Sequence, residues 1–60
     1  MTTDAAILHA LRHDPGGASG ADLARRLGIS RAAVWARIEA LRELGYDIEA
    51  SPHQGYQLLD

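Results

Sequence analysis

A mainly α fold finished by one small β-hairpin, in the order α-α-α-β-β, is what this sequence predicts. Three observations carry it. Apolar residues recur at helical spacing as far as Leu44, Ser and Gly cut that stretch into three segments, and beyond Gly45 the period changes to alternation. Sixty residues make one domain, 1–60, with 47% hydrophobic residues for a core, though a chain this short buries only about 60% of its unfolded surface. The absence of cysteine removes disulfide and thiolate chemistry. No run approaches the ~18 apolar residues of a membrane span, and Met-Thr-Thr-Asp has neither charge nor apolar run for a secretory signal. A soluble, cytoplasmic module without membrane contact is the expectation.

The first helix reads from Asp4 to His13. Thr3 is its expected cap, Asp4 suits the positive end of the dipole, and Ile7, Leu8 and Leu11 form its inner side. Asp14-Pro15-Gly16-Gly17 stops it, because Pro15 lacks a donor and the glycines admit turn conformations; Asp14 to Ala18 reads as loop. Ser19 opens a second helix with Asp22 at the capping-box position, Leu23, Ala24 and Leu27 inward, and Gly28 as a left-handed closing residue.

Gly28-Ile29-Ser30 leads directly into a third helix, capped by Ser30 and running from Arg31 to about Leu44 before Gly45. At about 100° per residue, Val34, Ile38 and Leu41 form one stripe that faces the core. Ala32, Ala36, Glu39 and Glu43 lie opposite. Arg31, Trp35 and Arg42 share one flank, and Ala33, Arg37, Ala40 and Leu44 the other. Tyr46, Ile48 and Ala50 then alternate with Asp47, Glu49 and Ser51 as a half-buried strand; residues 51–55 turn, and Tyr56 to Leu59 returns.

Two helices joined by a short turn containing glycine match the helix-turn-helix motif, which braces one helix on DNA backbone and aims the next at base edges. With the hairpin the architecture is a winged helix-turn-helix, and double-stranded DNA is the partner it suggests. The net charge of −2 argues mildly the other way. Its distribution does not: Arg25, Arg26, Arg31, Arg37 and Arg42 crowd the middle against only Glu39, while Asp4, Asp14, Asp22, Glu43, Asp47, Glu49 and Asp60 lie outside it. Candidate DNA-contacting residues are Ser30, Arg31, Ala32, Trp35 and Arg37 on the recognition helix, Arg26 on the helix before it, and His53 and Gln54 at the wing tip. Ser30 is first a cap, Arg31 suits a phosphate or guanine edge, and Arg37 suits phosphate. Trp35 is equally suited to the groove or to completing the core. One of Arg25 and Arg26 is expected to pair with Asp22, and Arg42 with Glu39 or Glu43. Tyr56 is expected to pack beneath the wing.

The longer pattern is more specific. Gly-Ile-Ser-Arg-Ala-Ala-Val-Trp (Gly28–Trp35), Ile-Glu-Ala-Leu-Arg-Glu-Leu-Gly-Tyr-Asp-Ile (Ile38–Ile48) and Gly-Tyr-Gln-Leu (Gly55–Leu58) together resemble the N-terminal DNA-binding domain of bifunctional biotin protein ligases, also called biotin operon repressors. The resemblance implies an operator-binding repressor domain of bacterial type, cut from a longer protein. It implies that a second copy is recruited through a C-terminal ligase domain, where biotin and ATP would bind; no cofactor is expected in these residues. Family members often carry Lys where Ala36 stands and Gly-Lys-Gly where His53-Gln54-Gly55 stands. Both departures remove a phosphate-seeking charge and imply weaker or redistributed contacts.

No nucleophile, base and orienter assemble in this sequence, so catalysis within it is not expected. His9 and His13 have the i,i+4 spacing of a metal clamp, but with only His53 as a further imidazole they read as a solvated pair. Two other functions fit: a regulatory or protein-interaction module tuning an attached ligase with little DNA binding, and the winged helix of another metabolite-sensing regulator.

Overall fold

A computed structural model describes residues 2–14 and 16–59. Three helices come first, α1 (Thr3–His13), α2 (Gly20–Leu27) and α3 (Arg31–Glu43), followed by the antiparallel strands β1 (Asp47–Ser51) and β2 (Gly55–Leu59). This is the three-helix-plus-hairpin order of a winged helix-turn-helix. No described helix is long and apolar enough to cross a membrane. Pro15, the expected helix stop, and Asp60 lie outside the described residues.

The helix boundaries follow from their caps. Thr2, Ser19 and Ser30 all hold extended backbone with ψ between 157° and 161°, and each side-chain oxygen accepts from the amide three residues on. The cap of α1 is therefore Thr2 and not Thr3: the Thr2 hydroxyl reaches the Ala5 amide at 3.1 Å, and Thr3 is already the first helical residue. At α2 the Ser19 hydroxyl accepts from Asp22, but the capping-box return is replaced, because the Asp22 carboxylate turns to Arg25 and Arg26. Gly28, at φ 69°, closes α2, and Ile29 donates back to the Ala24 carbonyl. Gly45, at φ 107°, ends α3 in the same way, with Gly45 and Tyr46 donating to Arg42 and Leu41.

Ile7, Leu11, Leu23, Val34, Ile38, Leu41 and Ile48 are each at most 4% exposed and form the centre of the core. At about 1.5–3 kcal/mol for each large aliphatic side chain removed from water, this cluster is the main source of stability. The stripe Val34, Ile38 and Leu41 seats α3, while Ile48 carries the hairpin onto the helices. Tyr56 and Leu58 pack at the edge of the core, as expected of Tyr56.

The hairpin pairs Asp47 with Leu59 through to Ser51 with Gly55. Its burial is narrower than alternation predicts. Only Ile48 is buried in β1, and Tyr46 and Ala50 are exposed, because three short helices cover just one position of the strand. The segment before α2 is also more than loop. Ala18 is buried and exchanges both backbone hydrogen bonds with Tyr56, at 3.0 and 2.8 Å, adding a one-residue bridge to the hairpin.

Candidate nucleic-acid interface

Ser30 sets where α3 begins and how its first amides are used. Its hydroxyl accepts from the Ala33 amide at 3.0 Å, leaving Arg31 and Ala32 exposed on the opening turn. The first turn of α3 holds no acid, whereas α1 has Asp4 and α2 has Asp22 there. No carboxylate of α3's own first turn opposes the positive end of its dipole, and helix termini of this kind attract phosphate.

An open groove of about 910 Å³ runs beside that end of α3. Arg31, Ala32 and Trp35 line it from α3, Ala50 to Tyr56 from the wing, and Gly16 to Gly20 from the segment entering α2, together with Asp22, whose carboxylate is paired with Arg25 and Arg26. Trp35 is 58% exposed, so it lines this groove and does not complete the core. The wing is held in place by close backbone approach. A Cβ on Gly17 would come 2.1 Å from the Gln54 carbonyl oxygen, and one on Gly55 would come 2.5 Å from that of Ala18. Both glycines also have positive φ, 95° and 74°, so glycine is required twice over. At the tip, the Ser51 hydroxyl accepts from the amides of His53 and Gln54 at 3.3 and 3.4 Å.

Five of the candidate residues therefore meet at one groove: Arg31, Ala32, Trp35, His53 and Gln54. Ser30 caps the helix at its edge. Arg26 and Arg37 are not among the groove-lining residues, and both are engaged elsewhere. Arg26 reaches Asp14 at 2.8 Å and Asp22 at 3.0 Å. Arg37 grips Asp4 through Nε and Nη2, each at 2.7 Å. Arg25 also pairs with Asp22, so both arginines of α2 do so where one was expected. Arg42 binds Glu39 and donates to the Ile48 carbonyl at 2.9 Å, fastening α3 to β1.

The electrostatics follow from these contacts. The hydrogen bond from Arg37 holds the Asp4 carboxyl below the ordinary aspartate value, against the opposing effect of its desolvation. The same bond, with the Asp4 charge, raises Arg37; Arg26 is raised by its hydrogen bond to Asp14 and then by the charges of Asp14 and Asp22. Among the described residues, Arg31 is the arginine of the 24–42 segment that carries no ion pair. The basic centre of the sequence is largely neutralised in space.

The wing clamp of Gly17, Ala18 and Tyr56 was not legible beforehand, although the glycines at 17 and 55 were its visible trace. His9 and His13 stand on the exposed side of α1 with ring centroids 4.2 Å apart.

Comparison with known proteins places this geometry. Residues 4–57 match the family model described as HTH domain. Over 41 residues, 68% of the chain, the sequence is 49% identical to the bifunctional ligase/repressor BirA of Bacillus subtilis (strain 168), and equally so to that of Bacillus spizizenii. It is 48% identical over 40 residues, 67% of the chain, to the protein of the same name from Salmonella typhimurium. The matched segment spans 13% of the length of the Bacillus proteins and 12% of the Salmonella one.

Proposed function

Because the chain belongs to the HTH domain family, we propose that it is the DNA-binding domain of a transcriptional repressor of the biotin ligase/repressor type. In this reading α3 enters the major groove and the wing rests on adjacent backbone. The observation that carries it is the groove in which Arg31, Ala32 and Trp35 face His53 and Gln54 beside an acid-free helix start. Arg31 contacts a phosphate or a guanine edge, Trp35 a sugar or thymine methyl, and the Ser30 end of the helix a phosphate. Arg26 and Arg37 contribute only where phosphate displaces their carboxylates. One copy covers one half-site, and the second is brought by the part of the protein beyond this segment. Any ligase chemistry, with biotin and ATP, belongs to that part as well.

The test is titration of palindromic duplexes selected from a random pool, alongside mixed-sequence duplex, at several salt concentrations with two copies tethered. Binding that prefers the selected duplex and weakens with salt is the expected result. With few unpaired cations, the salt slope should be shallow, about 0.9 per phosphate neutralised. The paired arginines and the net charge of −2 also favour a second reading, a regulatory module for an attached ligase. Absence of binding to either duplex at low salt would leave that reading standing.

A further inference from the structure

We propose that Asp4 limits DNA affinity by occupying, on Arg37, the place a backbone phosphate would take; the inference rests on the DNA-binding reading above. Carboxylate and phosphate present the same pair of oxygens to an arginine fork, and both fork nitrogens of Arg37 are already satisfied at 2.7 Å. The pair is open to solvent, with 46% of the Arg37 side chain and 28% of the Asp4 side chain exposed. A phosphate can therefore reach Arg37 without disturbing the core.

The position on α3 gives this pair its consequence. A helix with its side chains is about 10–12 Å across, close to the ≈ 12 Å width of the major groove. When the exposed Ala32–Ala36 face points at the bases, both flanks approach a phosphate wall. The Arg31 flank meets the wall beside the wing. The Arg37 flank meets the other, beside the start of α1, where Thr2, Thr3, Asp4 and Arg37 line a shallow hollow. A carboxylate there repels the phosphates and occupies the cation meant for them. The remaining pairs differ. Arg25 and Arg26 project from α2, held by Asp22 and, for Arg26, also by Asp14 at the end of α1, and Arg42 is fixed by the Ile48 carbonyl as well as by Glu39.

The experiment uses the whole chain and mixed-sequence duplex DNA, because a phosphate contact is read without an operator. Asp4→Asn is compared with Asp47→Asn, an exposed hairpin substitution that changes net charge equally. Asp4→Asn is expected to tighten binding by about three- to tenfold over that control at low salt. It should also steepen the salt slope by about 0.9, one extra phosphate. In an Arg37→Ala background the advantage of Asp4→Asn over the control should vanish. That double variant also keeps the test decisive if the single substitution lowers stability, since circular dichroism establishes the folded fraction of each. Equal effects of Asp4→Asn and Asp47→Asn, in a chain whose binding still weakens on Arg31→Ala, would overturn the inference and leave the DNA-binding reading intact. Failure of every folded variant to bind at low salt would overturn both.

Discussion

The two flanks of α3 carry the same residue type in opposite electrostatic states. On one, Arg31 carries no ion pair among the described residues and stands beside Trp35 and the wing. On the other, Arg37 is locked by two hydrogen bonds to Asp4, thirty-three residues away in sequence. The helix, its dipole and its core stripe are common to both. The difference lies in the neighbour: a glycine-clamped hairpin against one flank and the acid-bearing first turn of α1 against the other. An arginine count therefore overstates the charge available to DNA, and pairing decides how much remains.

The comparison can be broken outright or adjusted one flank at a time. The largest effect should come from Ile38→Ala. Removing a fully buried side chain should cost about 2–5 kcal/mol, much of the roughly 3–9 kcal/mol available to a domain of this size. Chemical denaturation should show a chain close to unfolded, with both flanks lost together. Gly17→Ala acts on one side. Its Cβ would collide with the Gln54 carbonyl at a φ of 95°, a strain of about 1–3 kcal/mol. Hydrogen exchange should then show the amides of Ala18 and Tyr56 losing protection while the α1–α3 contact keeps its own.

Ser30→Ala removes the cap that both flanks share and should lower stability by about 1 kcal/mol in denaturant titration. The smallest effect belongs to the Arg37 flank, whose contribution is lost in acid. The carboxyl of Asp4 is depressed in the folded state, so its contribution is present above the ordinary aspartate pKa and is lost as pH falls through the lower folded value. Thermal melts should decline below about pH 4, and Asp4→Asn should flatten that part of the profile.

What the sequence revealed was local. Ser19, Ser30, Gly28 and Gly45 act within a turn of the helix ends they set, and the Val34, Ile38, Leu41 stripe needs only periodicity. The helix-turn-helix and wing positions pointed to the groove residues from Arg31 to Gln54. The misses share a cause, since each depends on what lies across space. Thr2 and Thr3 are chemically alike, and only the register of the first turn chooses between them. Alternation at Tyr46, Ile48 and Ala50 is real, but three short helices have surface to cover one of the three. The Ala18–Tyr56 bridge and the Asp4–Arg37 pair join segments far apart in the chain, with no periodicity to announce them.

The most direct test of the central claim, that DNA meets the α3–wing groove, is a map of amide and indole N–H resonances as mixed-sequence duplex is added to the chain. The account predicts the largest shifts at Arg31, Ala32, Trp35, His53 and Gln54, with His9, Arg12 and His13 at the far end of α1 unmoved. Shifts centred on that end of α1, or on Leu44 and Tyr46, would contradict it.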